Sequence, residues 1–370
     1  MKKTIFVMTA MIAALTSCDL SSTVDGPTQT TTPVAVASVP RVFLMGQDFT
    51  AKKAVLERVS NDSVLAKDLK DWTASDVILA ASGDSLYVLN RKAGTVTGFT
   101  HGDPSKVFLD VQMTGPKDAT GGANPYAVAR IGNRLWVACY ASPYLKAVDI
   151  PTQKLVDSID LSSYSFAGAS SPNVVDVHAV NGSLVATLGR LDGWNPGDSS
   201  LVLVLDPSTK KATKRLALPW KNPYGISWEG DTVFVACVGK WATDDYSDIV
   251  KDGGLAMVVL STGVVKSILS EQTAGANIAD VVAVSATKVF VGFGHADFST
   301  TLASVDLATG IVGTTVPGIA SVAALAWTGK SLWVAEQNAA KPALYRLDAN
   351  GTVLGKVVTT LAPGSIAVLP

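Results

Sequence analysis

Charge is scarce in this sequence: only 16% of its 370 residues are Asp, Glu, Lys or Arg, and 30 basic against 31 acidic side chains leave a formal net charge of −1. A chain this close to neutral has no global field to draw in nucleic acid or an acidic membrane surface, so neither is an expected partner. Chemistry-bearing motifs are scarce too. No Gly-rich phosphate loop leads from a strand into a helix, and no G-x-S-x-G sits at a strand-to-helix turn, which excludes nucleotide and α/β-hydrolase chemistry. Helical periodicity is nearly absent. Beyond the first residues, no apolar run approaches the roughly 18 positions needed to span a bilayer.

What the chain does have is apolar bulk, with 48% hydrophobic residues, 31 Gly and 17 Pro, enough for a large core and unlike a disordered chain. Its start stands apart. Lys2 and Lys3 precede an apolar stretch from Ile5 to Leu15, followed by Leu15-Thr16-Ser17-Cys18. This resembles a lipobox, in which the Cys thiol takes a diacylglyceryl group before cleavage in front of it. Residues 1–17 are therefore expected to be a lipoprotein signal peptide and Cys18 the lipidation site, carrying palmitate-type acyl chains. More than one chain anchors stably. Residues 18–38 are rich in Ser, Thr and Pro and read as a flexible tether. The expected location is the cell envelope, lipid-anchored on the periplasmic or surface side. Asp19 resembles an inner-membrane retention signal of enteric bacteria, a rule that does not extend to every envelope, so inner and outer membrane both stay open.

From residue 39 onward a strand pattern behind a tight polar turn recurs seven times, 43 to 56 residues apart, as in "GDSLYVL" from Gly83, "GNRLWVA" from Gly132, "GDTVFVA" from Gly230 and "GKSLWVA" from Gly329. An apolar strand precedes most copies, such as "PYAVARI" from Pro125 and "IADVVAV" from Ile278; two more follow, as in "LASVDLATGIVGTTV" from Leu302. Four antiparallel strands per repeat at this spacing make a propeller blade. The first repeat lacks its innermost strand, and the chain ends in a surplus "PGSIAVLP" from Pro363. The fold read from this is all-β: a seven-bladed β-propeller of four-stranded antiparallel blades over residues 39–370, closed by the C-terminal strand pairing into the first blade.

The repeats resemble the YVTN family of β-propellers, also called YncE-like, whose repeat runs roughly "P-x-x-V…G…L-Y-V-A-N…V-x-V-I-D…T-G-K-V". Matching stretches are "NPYAVARIGNRLWVACY" with "AVDIPTQKLVDSIDL", and "LASVDLATGIV". The resemblance spans residues 40–370 and implies the fold; related propellers serve as surface proteins, binders and occasional enzymes. The family's Asn after "YVA" is replaced by Cys139, Cys237 and Glu336. Some members have been linked to DNA, against which the near-neutral charge argues.

Propeller topology puts second-to-third-strand loops and blade-to-blade connections on one face. The long loops are all of this kind: 189–200, 239–254, 294–301 and 336–342. Binding residues concentrate on such loops. The candidate binding face therefore comprises Arg190, Trp194, Lys240, Trp241, Tyr246, His295, Glu336 and Gln337, with Asn124, Tyr126, Asn222 and Tyr224 from the connections. Aromatics and Arg among adaptable polar groups suit a protein, peptide or glycan. The opposing interpretation is that the aromatics pack their own loops and Asn-Pro-Tyr is turn chemistry.

His101, His178 and His295 fall in separate repeats and cannot share a zinc ion, so neither metal nor cofactor is expected. Asp244, Asp245, Asp248 and Asp252 lack the Gly-centred spacing of a dedicated Ca²⁺ loop. Cys139 and Cys237 lie a whole blade apart, beyond the roughly 7 Å a disulfide spans, and are expected free and buried. The reading is a membrane-anchored binding or scaffold lipoprotein rather than an enzyme. The alternative is a propeller hydrolase or lyase with Glu336, His295 and Arg190 meeting on the same face.

Overall fold

The computed structural model describes residues 40–370 apart from 61, 62, 116, 117, 119–121, 194, 198 and 339, so Cys18 lies outside the described residues. Among the described residues seven antiparallel sheets follow one another as blades, and a two-stranded ribbon, Leu191–Asp192 with Asn195–Pro196, stands apart in one connection. Within each blade, the inner strand comes first and the chain zigzags outward: in blade three, Pro125–Ile131, Arg134–Cys139, Tyr144–Asp149 and Lys154–Asp160. Blade one alone breaks the order. Its second, third and outer strands are Arg41–Asp48, Lys53–Ser60 and Ser63–Trp72, and its inner strand is Ala362–Leu369. That last strand pairs antiparallel with Arg41–Asp48, from Arg41 opposite Leu369 to Gln47 opposite Ala362. The ring is closed by this seam.

The continuous apolar runs "LWVA" and "VFVA" have a direct cause. A second strand has a blade on either side, so both of its faces are covered and no polar alternation is needed. Leu135 through Cys139 are all fully buried. Seven apolar clusters result, one between each pair of neighbouring blades, including Trp136, Leu145, Val174 and Leu203 between blades three and four and Trp333, Leu344, Val42 and Leu44 across the seam.

The recurring Asp in "LDPSTK", "VDIPTQ" and "VDLATG" builds the third-to-outer turns. Asp206 accepts from the Ser208 amide (2.8 Å) and hydroxyl (2.7 Å), and Asp306 accepts from the Thr309 amide and hydroxyl (2.9 and 2.7 Å). The residue that completes the turn then adopts positive φ: Lys210 at 59° and Gly310 at 72°. Blade six differs after this turn. Its three strands, Asn277–Ser285, Lys288–Gly294 and Thr300–Asp306, are followed by "IVGTTVPG", which runs beside the third without a regular ladder: Val312 bridges Val305, and the Gly313 and Val316 amides donate to the Ser304 and Leu302 carbonyls (2.8 Å each). Pro317, which has no N–H to give, and Gly318 end the contact there.

Inner strands leave one backbone edge facing the central tunnel, where each unmet N–H would be costly. Small hydroxyls from the preceding blade meet several of them. Leu79 N–H donates to Ser365 Oγ (3.0 Å), Arg130 N–H to Ser82 Oγ (3.0 Å) and Ala283 N–H to Ser227 Oγ (2.9 Å). No helix among the described residues is long and apolar enough to cross a membrane.

Candidate functional site

The approach to four of the inner strands is set by a residue in the left-handed region: Asp76, Asn124, Asn173 and Asn222, with φ between 52° and 67°. Asn and Asp tolerate this conformation better than bulkier side chains. Their carbonyls accept the N–H of the residue that ends the second strand's run: Arg91 (3.1 Å), Tyr140 (2.9 Å), Gly189 (2.8 Å) and Val238 (3.0 Å) respectively. Asn124 and Asn222 thus do turn chemistry first.

Two positions further on, the inner strand bulges. Register slips between Pro125 and Ala127, Val174 and Asp176, Pro223 and Gly225, Ile278 and Asp280, and Val322 and Ala324 leave Tyr126, Val175, Tyr224, Ala279 and Ala323 unpaired in five successive blades. A bulge re-aims a side chain. Blades three and five place tyrosines at this position, at the mouth of the tunnel on the long-connection face.

Tyr126 is the middle of a column. The Arg91 guanidinium lies 4.3 Å above its ring centroid, and Tyr140 stacks on it at 5.4 Å with 28° between planes. Arg91 is fixed by donating from Nε to Asn124 Oδ1 (3.1 Å) and from Nη1 to Asp76 Oδ1 (2.8 Å). Tyr224 keeps 64% of its surface accessible, yet its hydroxyl pKa is raised, first by burial and then by Tyr126 and Asp280, with Arg91 pulling the other way. Both facts hold because its exposed surface opens on the enclosed mouth rather than on bulk water.

Deeper in the tunnel stand two carboxyls on inner strands. Asp176 is pushed up to about 7 by burial, against the pull of the Trp228 indole, whose Nε1 donates to Oδ2 (3.2 Å). Asp280 is pushed up to about 7 by burial, against the amides of Val281 and Leu325. It packs over Gly225, where a Cβ would fall 2.5 Å from its Oδ1. His178 stacks on Trp228 (4.4 Å, 16°), and burial lowers its pKa.

These carboxyls make stability depend on pH. A group whose pKa is near 7 when folded and near 4 when unfolded keeps its proton in the native state across that interval. The stability it confers is complete below about pH 4 and is lost as pH rises past about 7. Asp280→Asn should therefore narrow the fall in melting temperature between about pH 5 and about pH 8. A fall of unchanged size in the variant would clear this carboxyl of responsibility.

Of the remaining candidates from the sequence, Trp194 lies outside the described residues. Trp241 packs its ring over Gly294, where a Cβ would fall 2.5 Å from it. Arg190 staples two connections, donating to Tyr164 O (2.9 Å) and Ser199 O (2.8 Å). Glu336 is buried, and its Oε2 accepts the amides of Ala320 (3.1 Å) and Ser321 (3.0 Å). His295 Nε2 bonds Thr301 Oγ1 (2.9 Å). Lys240 pairs with Asp244 (2.6 Å). Tyr246 is 68% exposed, and Gln337 is exposed with its N–H on Ser321 O (2.8 Å). The residues brought to one place are Asn124, Tyr126 and Tyr224, together with Arg91, Asp76, Tyr140 and Asp280.

Arg91 and Tyr140 could have been found, because they occupy the same repeat position as His295 and Gln337, just after the second strand. Asp176 and Asp280 also left a signal, as acidic residues inside otherwise apolar inner strands. Among the described residues no three His, Cys, Asp or Glu side chains cluster as metal ligands. Cys139 and Cys237 are free and buried, and burial pushes the Cys139 thiol up to about 12.

The sequence matches no family model and no curated protein. In fold, the chain is similar to a protein of Bacteroides uniformis described as a candidate 6-phosphogluconolactonase, with a TM-score of 0.61 at 14% identity over 90% of this chain and 100% of that one. It is also similar to the hydrazine synthase of Kuenenia stuttgartiensis (TM-score 0.56, 14% identity, 79% and 90% covered) and to apo AztD of Citrobacter koseri (0.50, 13%, 89% and 98%). Likeness at such identities extends to the architecture, and the chain is a seven-bladed β-propeller.

Proposed function

We propose that this protein is a membrane-anchored binding protein of the cell envelope. In this reading Cys18 carries the lipid, residues 18–38 give reach, and the long-connection mouth captures a protein, peptide or glycan. The Arg91–Tyr126–Tyr140 column, with Tyr224 at the same mouth, carries the reading. Rigid aromatics and an arginine already held in place lose little freedom on binding, and such groups dominate recognition energetics. The resemblance to YVTN propellers, some of which bind partners at surfaces, agrees with it.

The test is photo-crosslinking in intact cells from a probe at Gln337, followed by the Tyr126→Ala/Tyr224→Ala double variant and Arg91→Ala. Each should reduce the crosslinked species by roughly tenfold or more while the melting temperature holds, and Cys18→Ser should move the protein to the soluble fraction. Undiminished crosslinking would reject this mouth. A hydrolase or lyase is the second reading, now resting on Asp176 and Asp280, which retain protons near neutrality beside the tunnel. It predicts turnover that disappears in Asp280→Asn while ligand capture survives.

A further inference from the structure

The opposite end of the tunnel, among the short first-to-second turns, holds a second cavity, of about 330 Å³. Blades five, six and seven line it: Trp228 and Glu229 from the end of one inner strand, Val281 and Ala283 from the next, and Leu325 and Trp327 from the third. Volumes of this order hold small molecules. Glu229 is the only charged side chain in the lining, with no Lys, Arg or His. It is exposed and has no hydrogen bond or ion pair among the described residues. Two other polar groups of the wall are engaged, the Ser227 hydroxyl accepting the Ala283 amide (2.9 Å) and the Trp228 N–H donating to Asp176 (3.2 Å), while the Trp327 N–H has no partner among the described residues.

Trp228 is held in place on two sides, by that bond and by the His178 ring stacked at 4.4 Å. What the cavity offers a guest is thus two indoles, a wall whose accessible surface is more polar than apolar, and one unpaired carboxylate. An anion would meet Glu229 and the negative faces of the rings. An organic cation gains from the ring quadrupoles and the carboxylate together, with Ile226 and Leu325 beside its alkyl groups.

We propose that this cavity is a binding site for a compact alkylammonium ion, with Trp228 and Trp327 as the aromatic walls and Glu229 as the counter-charge. The site is separate from the long-connection mouth and stands whether or not that mouth binds a partner.

Choline is the probe, titrated against the full chain in a non-ionic detergent and followed by tryptophan fluorescence and calorimetry. Its neutral isostere 3,3-dimethylbutan-1-ol is the control. Choline should bind saturably and at least about tenfold more tightly than the alcohol, a margin within reach of cation–π and charge pairing together. Glu229→Gln, a change at an exposed position, should weaken choline several-fold without moving the melting temperature, and Trp327→Ala should abolish binding. Should Trp327→Ala fail to fold, Trp327→Leu keeps the apolar volume and removes only the ring quadrupole, with the same expected loss. Tyr126→Ala should leave choline binding unchanged. Phosphatidylcholine vesicles in place of choline separate a lipid-borne ammonium from a free solute, either of which fits the site. Equal affinity for choline and the alcohol, no binding of either choline or the vesicles, or full binding by Glu229→Gln and Trp327→Leu would overturn the proposal.

Discussion

Deleting residues 363–370 abolishes cooperative unfolding and drives the chain into aggregates, the largest effect expected of any small change here. The deleted segment supplies nearly the whole inner strand of blade one. Ala367 and Leu369 are buried against blade two, and Ile366 and Val368 pack into the cluster shared with blade seven. Two of the seven inter-blade cores therefore lose a wall together. The inward edge of Arg41–Asp48 is left with unpaired amides along its length, and Leu79 loses the Ser365 hydroxyl. Against a typical native stability of roughly 5–15 kcal/mol, the loss of several buried apolar side chains at about 2 kcal/mol each, together with a full ladder, leaves little or no margin. An exposed strand edge then recruits other chains. Thermal melting by circular dichroism and size-exclusion chromatography read the outcome. A truncated chain that stays monomeric and melts within a few degrees of the parent would show that the seam is dispensable.

Glu271→Ala should be the most damaging single substitution away from the apolar cores. Glu271 is wholly buried where blade five hands over to blade six. Its Oε2 accepts the Gly253 amide (2.9 Å) and Asn277 Nδ2 (3.1 Å), and its Oε1 accepts the Ile278 amide (2.7 Å). Removing the carboxyl strands three buried donors, and at about 1–3 kcal/mol for each unmet group the total is roughly 3–5 kcal/mol or more. The surroundings have little room to rearrange, since even a Cβ on Gly253 would come within 2.0 Å of the Cys237 carbonyl oxygen. Burial pushes this carboxyl up to about 7 in spite of the donors. The stability tied to its retained proton is accordingly present at mildly acid pH and lost as pH rises past 7. Urea titrations at about pH 5 and about pH 8 should show the parent weakening at the higher pH and the variant weak at both. A variant within 1 kcal/mol of the parent at both would mean that water replaces the carboxyl in this junction.

How much of this was legible in the sequence depends on how local each feature is. Turns such as "GNR" and "DLATG" and the runs "LWVA" and "VFVA" carry their own instructions, because a hairpin and a strand buried on both faces need only short-range patterns. The surplus strand at Pro363 was readable by counting. The mouth was not. Arg91 becomes part of a site only because the next blade puts Asn124 and Tyr126 within its reach, and the bulge that turns Tyr126 inward leaves no mark in composition. Trp241 shows the converse: an aromatic in a polar loop looks available, while Gly294, in the next blade, gives it a floor. Asp176 and Asp280 were visible yet passed over, because a lone acid in a β-strand attracts notice only once that strand is known to line a tunnel.

The seam has a consequence for orientation. Arg41 and Leu369 are paired, and the Arg41 guanidinium also donates to the Pro370 carbonyl (3.2 Å), so both ends of the ring sit at the short-turn pole. The strand exchange that seals the circle thereby also gives it a polarity, with the first described strand entering at the pole opposite the rim with the tyrosines.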